Sequence, residues 1–306
     1  YNALYSTSTG ENNTAVGYRA LKANTTGYAN VAIGTDAALS QTTADNNVAV
    51  GKHALQTNVT GWGVTAVGAD AAKVSTVNHT TAFGYAALRY NTTGSSNTAV
   101  GSMALLNNTT ASYNVAIGKA ALEDNTTGGY NTALGYQALA NNTVATNNLA
   151  IGYKALYANT TGQDNVAIGL QALESSNSTA NTAINYALTK NTSGNQNVGV
   201  GVYALDANTT GGYNTAVGNY ALDTNTTADN GTAFGYKALF ASTGANNTAI
   251  GYQAGNSITT GSNLTCIGYD ADASAVDATN EITLGNTSIT KFRIPGLNFT
   301  LKDTTA

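Results

Sequence analysis

A repeat of about 17 residues runs through almost the whole chain and constrains its fold more than any other feature. The units share the consensus N-[TV]-A-[VI]-G-Y-x-A-L-x-x-N-T-T-G-x-x, and its first glycine recurs from Gly17 to Gly285, with Asn185 in its place once. The 17 units are separated by 12 spacings of 17 residues and four of 16 residues. A fixed period of this kind is typical of solenoids, in which each unit packs only on its neighbours.

Three adjacent columns of the repeat predict a short β-strand in every unit. A large apolar residue precedes the glycine in all 17 units, and a β-branched residue lies two positions earlier in 16 of them. The position between them is Ala in 14 units. β-branched side chains favour the extended backbone. The columns include the large residues Val16 and Ile33, the small residues Ala15, Ala32, Ala49 and Ala133, and the glycines Gly17 and Gly34.

Alternation along the strand separates a bulky face from a small one. Side chains at successive strand positions point to opposite faces, so Thr14 and Val16 share one face and Ala15 occupies the other. We expect the bulky face to pack in a core and the Ala face to be approached closely by another backbone. Because one thin coil leaves such an Ala face uncovered, the pattern predicts close packing of sister chains there, which Ala133→Leu should disrupt.

The length of the unit favours a β-solenoid. Leucine-rich repeats need about 20–29 residues, whereas 17 residues suit one coil of stacked strands. The first strand is predicted at residues 13–17, and a second short strand, or alternatively a single helical turn, at Ala20-Leu21. Residues 24–27, Asn-Thr-Thr-Gly, form the turn. The predicted fold is all-β: a parallel β-solenoid or β-roll of about seventeen coils, roughly 80 Å long, assembled as a trimeric fibre.

An asparagine column accompanies the strands. Asn lies four positions before the glycine in 12 units. Identical amides stacked at strand spacing can bond along the rod, whereas stacked like charges repel. This explains why only 9% of the residues are charged. The column includes Asn13, Asn30, Asn47, Asn97, Asn114 and Asn131.

Composition excludes several classes of function. No apolar run approaches the ~20 residues of a membrane span, so membrane insertion is not expected. The 12 Lys and Arg residues are scattered and form no basic stripe for nucleic acid. The 16 acidic residues are also scattered, without the paired carboxylates of a polysaccharide-cleaving enzyme. We therefore predict no enzyme activity, no cofactor and no metal site.

Isolated reactive residues are expected to be structural. His53 and His79 lie 26 residues apart and are interpreted as surface substitutions. Cys266 falls in the small column and is interpreted as a buried substitute for Ala. Asp270 and Asp272, with a third aspartate at position 277, lack the spacing and the glycine of a calcium loop.

Two repeated patterns have competing explanations. Tyr follows the glycine in eight units, and a row of rings either binds sugars or stacks on its own neighbours, of which we favour the second. Asn-x-Ser/Thr triplets such as residues 24–26 are glycan acceptors only in a secretory pathway. The need for Asn in a tight turn explains them equally well, and we favour that explanation.

The repeat resembles two families of fibrous proteins. Residues 30–34, Asn-Val-Ala-Ile-Gly, and 165–169, with the same sequence, resemble the head repeats of YadA-like trimeric autotransporter adhesins. That resemblance implies a trimeric, left-handed parallel β-roll. The longer unit, N-T-A-V-G-Y-x-A-L-x-x-N-T-T-G, is similar to shaft repeats of phage and other viral tail fibres. Such fibres often carry a self-cleaving chaperone of the endosialidase type after the shaft.

The resemblance also suggests a division of the chain. Residues 280–296 resemble the segment that ends such shafts. We therefore expect a repeat shaft at 1–268 and a transition segment at 269–306 that precedes a chaperone domain outside this sequence. Since the sequence opens in the middle of a repeat, we expect it to be part of a longer protein.

The predicted function is structural. The resemblance implies the shaft of a viral tail fibre, located on the virion as a homotrimer and mediating host attachment. A tip outside this sequence would bind a cell-surface glycan or protein receptor. The alternative is a bacterial surface adhesin or extracellular filament of the same architecture. An ice-binding solenoid is a further alternative, disfavoured because its Thr column shares the predicted core-facing side.

Overall fold

A computed structural model describes residues 1–291 and shows a single stack of very short strands. Seventeen strands of three residues each follow one another along the chain, and the described residues contain no helix. The strands are Thr14–Val16 (β1), Val31–Ile33 (β2), Val48–Val50 (β3), Thr65–Val67 (β4), Thr81–Phe83 (β5), Thr98–Val100 (β6), Val115–Ile117 (β7), Thr132–Leu134 (β8), Leu149–Ile151 (β9), Val166–Ile168 (β10), Thr182–Ile184 (β11), Val198–Val200 (β12), Thr215–Val217 (β13), Thr232–Phe234 (β14), Thr248–Ile250 (β15), Thr265–Ile267 (β16) and Ile282–Leu284 (β17).

Each strand pairs in parallel with the strand of the next coil. Between β1 and β2, Thr14 lies beside Val31 and Ala15 beside Ala32, so equivalent repeat positions are in register. The same pairing continues to β16 and β17. Sixteen steps of about 4.8 Å give a rod about 77 Å long. The predicted all-β parallel solenoid is confirmed. Within residues 1–291, no helix has the length and apolar character needed to cross a membrane.

The Ala column lies inside the coil, which contradicts the predicted orientation of the strand faces. Ala32, Ala49 and Ala133 are completely buried in the single chain, and Ala15 in the first coil is partly buried against the same core. Val16 and Ile33, in contrast, are 58% and 39% exposed. The bulky face therefore points to solvent, and the expectation that a lone chain leaves its Ala face uncovered is wrong.

The opposite wall of the solenoid explains this orientation. Gly199 takes the place of Ala in β12, and a Cβ atom built there would lie 3.2 Å from both Ala187 Cβ and Leu188 Cδ1. Leu188 belongs to the Leu column, whose members are the largest fully buried side chains. A Leu on one wall fills the interior and leaves room for only a methyl group on the other, as close packing requires.

The Tyr-x-Ala-Leu segment forms neither the predicted second strand nor a helical turn. In the first repeat, Arg19 and Leu21 have φ values of 54° and 51°, in the left-handed region, and most coils repeat this. The backbone still bonds between coils, since the Leu21 N–H donates to the Ala37 oxygen at 2.9 Å. A left-handed residue costs about 1–2 kcal/mol, and complete burial of Leu, worth about 1.5–3 kcal/mol, offsets it.

The glycine after each strand is required by the close stacking of the backbone. Gly17 has a φ of 132°, and a Cβ atom at this position would lie 2.7 Å from the Gly34 oxygen. Gly34 stands in the same relation to Gly51. No L side chain fits between successive coils at this distance. Asn185, the one substitute, has a φ of 70° and ends a coil of 16 residues.

The Asn column before the strand bonds along the rod. The Asn30 N–H donates to Asn13 Oδ1 at 2.9 Å, and the Asn47 N–H donates to Asn30 Oδ1 at the same distance. Asn30 Nδ2 donates to the Ala44 carbonyl of the following turn at 2.8 Å. Each amide therefore joins one strand to the preceding coil and to the next turn. The same N–H to Oδ1 bonds connect Asn97, Asn114 and Asn131.

A second Asn column, at the start of the Asn-Thr-Thr-Gly turns, is also buried. Asn108 Nδ2 donates to Asn91 Oδ1 at 2.7 Å, and Asn125 Nδ2 donates to Asn108 Oδ1 at 2.9 Å. Each amide also donates to the carbonyl three residues ahead, as Asn125 does to Gly128 at 2.9 Å. The sequence indicated a turn here but not a buried amide ladder.

The shortened coils replace this Asn by Ser. Ser75, Ser176 and Ser242 occupy the turn position in three of the four 16-residue coils, and all three are buried. Asn closes the longer turn by reaching the carbonyl three residues ahead. In these three coils the turn has one residue fewer, and the shorter Ser side chain occupies the position of Asn.

The ladder extends into the segment predicted to follow the shaft. Strand β17 lies within residues 269–306 and pairs with β16. The end of the transition segment, residues 292–306, lies outside the described residues.

Candidate functional site

The outward strand face runs as an uncharged surface along the whole described stack of strands. Its two columns are the β-branched residue that begins each strand and the large apolar residue that ends it, from Thr14 and Val16 to Ile282 and Leu284. The end column is exposed or half-buried throughout, and Phe83 reaches 53% exposure. None of the 34 outward positions carries a charge. Ten of these positions are Thr and the other 24 are Val, Leu, Ile or Phe. A long uncharged face with a continuous column of large apolar residues is characteristic of an interaction surface.

Tyrosine rings stack along the rod beside this face. Tyr136 and Tyr153 lie 5.6 Å apart between ring centroids, with planes 11° apart. Tyr252 stacks on Tyr236 at 5.2 Å and on Tyr269 at 5.5 Å. The stacking that we predicted between Tyr side chains of neighbouring coils is present in these pairs. The stacked ring faces are therefore covered by tyrosines of the same chain.

An alternating column of charges occupies the first coils. Arg19 donates two hydrogen bonds of 2.7 Å to the Asp36 carboxylate, and His53 Nδ1 lies 3.1 Å from Asp70 Oδ1. His53 Nε2 is 3.9 Å from Asp36 Oδ2, so the imidazole lies between two carboxylates. The interpretation of His53 as an isolated surface substitution missed this network. The signal was available, because all four residues stand two positions after the repeat glycine.

Hydrogen bonding lowers the pKa of both aspartates in this column. The Arg19 hydrogen bonds hold the pKa of Asp36 below its ordinary value, although burial works in the opposite direction. Burial also works to raise the pKa of Asp70, but the His53 hydrogen bond and the charge of Lys73 outweigh it. Both carboxylates are therefore ionised at neutral pH and form a structural ion network.

His79 lies elsewhere and contacts an aromatic ring. Its imidazole meets Trp62 edge-on, with ring centroids 4.2 Å apart. The two histidines of the chain are not brought together by the fold. Their separate surroundings give them no shared catalytic or metal-binding geometry.

Two aspartates in adjacent coils form the most unusual charge cluster. Asp206 accepts a hydrogen bond from Lys190 Nζ at 2.8 Å and another from the Thr189 hydroxyl. Burial, followed by the neighbouring charge of Asp206, raises the pKa of Asp223. Lys190, Asp206 and Asp223 line a shallow cavity of about 370 Å³ together with Tyr203 and others. The aspartates follow the core Leu in consecutive repeats, a coincidence that the prediction of scattered acids overlooked.

Cys266 lies in the Ala column of β16 and is 1% exposed. Burial is the main cause that raises the pKa of its thiol to about 11. A thiol with this pKa is protonated at physiological pH and therefore unreactive. The prediction of a buried Ala substitute agrees with this position.

Asp272, one of the three C-terminal aspartates, bonds to a turn of the preceding coil. Asp272 Oδ2 accepts hydrogen bonds from the Ser257 backbone N–H at 3.1 Å and from its hydroxyl. Across residues 1–291, no group of three or more His, Cys, Asp and Glu side chains has the arrangement of a metal site.

The asparagines of the turn triplets are inaccessible. Asn24, Asn91 and Asn125 are completely buried, and their amides are used in hydrogen bonds within the coil stack. A glycan cannot be attached to a buried amide without breaking these bonds. The turn function of the triplets therefore explains them in the folded chain.

No protein-family model matches the chain, and a search of curated proteins also gives no match. The resemblance of the repeat to adhesin heads and tail-fibre shafts therefore stays a prediction.

Proposed function

We propose that the chain is the shaft segment of a homotrimeric extracellular fibre and that its outward strand face is the interface between chains. The observation that carries the proposal is the exposure of this uncharged, apolar face along the whole rod. Water contact with so many aliphatic side chains is unfavourable, and burial of each square ångström contributes about 25 cal/mol. We therefore no longer assign the contact between chains to the Ala column, which the chain itself covers. We assign it to the outward strand face, where each strand ends in Val, Ile, Leu or Phe.

The dimensions of the face fit a stable interface. A strip about 77 Å long and about 10 Å wide presents an area of about 800 Å² per chain, which is the usual contribution of one partner to a specific interface. Because all coils have the same orientation, a symmetry axis parallel to the rod brings equivalent faces together along their full length. Three chains around such an axis cover every strand face.

The setting that we favour is the tail fibre of a virus. The long repeat unit with its Asn-Thr-Thr-Gly turn and the resemblance of residues 280–296 to a shaft end support a location on the virion. Attachment to the host would then involve a cell-surface glycan or protein bound at a tip outside this sequence. A bacterial surface adhesin or extracellular filament is the alternative. Immunogold labelling with an antibody against the shaft distinguishes them: label on particles supports the first, and label on bacterial cells the second.

The interface can be tested with two substitutions of matched exposure. Leu134 ends β8 on the strand face and is 43% exposed, whereas Val144 lies on a turn and is 48% exposed. We expect Leu134→Asp to lower the oligomer mass measured by analytical ultracentrifugation, because three carboxylates would be buried near the axis. The Val144→Asp variant should still sediment with the mass of a trimer. A wild-type chain that sediments as a monomer at micromolar concentration would refute the proposal.

Ice binding is a second candidate, because the structure removes the earlier objection to it. The Thr column faces solvent: Thr14, Thr65 and Thr81 are among ten Thr residues that begin strands. The adjoining column is aliphatic or aromatic, however, which favours burial against another chain over contact with ordered water. Thermal hysteresis in a monomeric preparation would favour ice binding, and its absence together with a trimeric mass would favour the fibre.

A further inference from the structure

One edge of the rod has a composition unlike the rest of the surface. This edge, here called the aromatic edge, consists of the two residues that precede the Asn column in each coil, from Glu11-Asn12 to Thr279-Asn280. Its 34 positions hold 18 Asn, Gln, Ser and Thr residues and five large aromatic residues. They hold four acids but no Lys, Arg, Val, Leu, Ile or Met. The large aromatic residues are Tyr28, Trp62, Tyr113, Tyr130 and Tyr213.

The aromatic rings on this edge are not there to complete the core. All five are exposed, and Tyr130 and Tyr213 reach 63% and 65%. Tyr113 and Tyr130 stack on each other with centroids 5.1 Å apart. Exposed aromatic rings in a surface that lacks Val, Leu, Ile and Met indicate selection for ring contact and not for general hydrophobicity.

Three of these tyrosines occupy an unfavourable backbone conformation. Tyr113, Tyr130 and Tyr213 have φ values of 63°, 60° and 60°. Other coils place Asn at the same position, as at Asn246 and Asn263, and Asn tolerates the left-handed region better than Tyr does. The buried Leu residues of the core offset a similar cost by burial, and Tyr113 and Tyr130 gain their mutual stack. Tyr213 is exposed and stacks on no aromatic ring within residues 1–291, so its backbone conformation has no such compensation. A local conflict of this kind points to a functional reason.

Tyr213 contributes to a shallow cavity with neutral polar walls. The cavity, of about 330 Å³, spans three coils and is lined by Tyr213, Asn195, Gln196, Thr179 and Ala180. Asn195 Oδ1 accepts a hydrogen bond from the Thr179 N–H at 2.8 Å, which fixes the amide with its Nδ2 available as a donor. The small Ala180 leaves the space open. The cavity therefore presents the Tyr213 ring to solvent beside amide and hydroxyl groups, and none of its lining residues is charged.

We propose that the aromatic edge binds a neutral saccharide that lies along the rod, with the Tyr213 cavity as one of its subsites. The C–H groups of a pyranose ring pack on the electron-rich face of an aromatic ring, while its hydroxyl groups bond to amide and hydroxyl side chains. The edge supplies both kinds of group at repeated intervals. This binding goes beyond the structural role proposed above and depends on neither the viral nor the bacterial setting.

The charges of the edge favour a neutral ligand. Its four acids, among them Asp164 and Asp229, are not balanced by any Lys or Arg on the same edge. Polyanionic ligands, such as nucleic acid or acidic polysaccharides, would be repelled. An apolar peptide would find no aliphatic pocket. A neutral saccharide is not repelled by the acids and does not need an aliphatic pocket.

The test is affinity electrophoresis of the assembled protein through gels that contain dextran, mannan, galactan or soluble chitin oligosaccharides, with alginate as the acidic comparison. We expect at least one neutral saccharide to retard the wild-type protein and alginate not to do so. The same saccharide should shift the emission of Trp62, which is the only tryptophan of the chain. Retardation by alginate alone, or by none of the neutral saccharides, overturns the proposal.

Matched variants separate binding from folding. Tyr213→Asn removes the ring and supplies a residue suited to the left-handed backbone, so we expect equal or greater thermal stability. Its affinity should fall about 2- to 12-fold, the range for one aromatic contact. Tyr269→Asn is the control, since Tyr269 is also 65% exposed but stacks on Tyr252 outside this edge. Unchanged binding by Tyr213→Asn, or an equal loss in both variants, contradicts the assignment.

Discussion

The buried turn asparagines predict a pH-dependent defect from a single isosteric change, Asn125→Asp. Asn125 is completely buried, and its Nδ2 donates to Asn108 Oδ1 and to the Gly128 oxygen, both at 2.9 Å. Its Oδ1 accepts from Asn142 Nδ2 at 2.7 Å. The substitution keeps the shape and the acceptor but replaces the donor of two hydrogen bonds by an oxygen.

The cost follows from the two acceptors that face the new oxygen. Asn108 Oδ1 loses the donor that Asn125 supplied, and a buried polar group without a partner costs about 1–3 kcal/mol at neutral pH. The Gly128 oxygen keeps the hydrogen bond that Asn114 Nδ2 donates at 3.0 Å, so its loss is smaller. Burial beside two acceptors raises the folded-state pKa of the new carboxyl group above the ordinary value of about 3.9. Below the ordinary pKa the group is protonated in both states, and its O–H can donate to one acceptor. The defect therefore grows as the pH rises from about 4 through the raised folded-state pKa.

Hydrogen exchange of individual amides is the suitable assay, because a repeat rod opens locally and its unfolding need not be two-state. We expect amides in the coils around position 125 of the variant to lose protection at pH 7 and to regain part of it near pH 4, relative to wild type at each pH. Asn147→Asp is the control, since Asn147 is exposed and its position tolerates Asp. Wild-type protection in the Asn125→Asp protein at pH 7, or a larger defect at pH 4, would show that the amide ladder does not support the turns.

Ala133, Asp36 and Cys266 each allow a further measurement on the same protein. Ala133→Leu should destabilise the coil itself by about 1–3 kcal/mol through overpacking, so the melting temperature should fall even in an oligomer-deficient background. The Asp36 carboxylate, with its pKa lowered mainly by Arg19, stabilises the first coils above the ordinary pKa of Asp. That contribution should disappear as the pH falls from about 4 through the folded-state pKa, and Arg19→Met should reduce this pH dependence of amide protection, because Arg19 is the main cause of the lowered pKa of Asp36. Cys266, with a pKa of about 11, should react with iodoacetamide at pH 8 only after unfolding, as followed by mass spectrometry.

The sequence predicted the strands well because three physical constraints coincide there. The β-branched column, the Ala column and the glycine each restrict the backbone, and the glycine tolerates no Cβ atom beside the next coil. The fixed period then determines the register, as in the pairing of Ala15 with Ala32. Parallel stacking follows from the repeat and requires no long-range information.

The orientation of the strand could not be read from hydrophobicity alone. Placing Val16 inside and Ala15 outside follows the usual preference for large buried side chains. In a coil this thin, the interior is already filled by the Leu of the opposite wall, and only Ala leaves enough space. The constancy of the Ala column did indicate a close approach. The approaching group is the chain's own Leu column and not a sister chain.

The Tyr-x-Ala-Leu segment and the surface networks were missed for a different reason. Leu21 adopts a left-handed conformation against its intrinsic preference, because tertiary burial outweighs the local cost. The Arg19–Asp36 pair and the Asp206–Asp223 cluster join residues one repeat apart. Because the partners are about one repeat apart in the sequence, these pairs can be recognised only when equivalent positions of successive repeats are compared.

The four shortened coils have a geometric consequence for the whole molecule. Three of them omit one residue from a turn where Ser stands for Asn, while the strands on either side stay paired in register. The perimeter of the cross-section can therefore vary without interrupting the ladder. The length of the rod and the size of its cross-section are therefore independent. Duplication of one repeat lengthens the rod by one strand spacing, whereas a change confined to a turn alters the cross-section of that coil alone. The number of repeats can therefore change without a change in the cross-section of the existing coils.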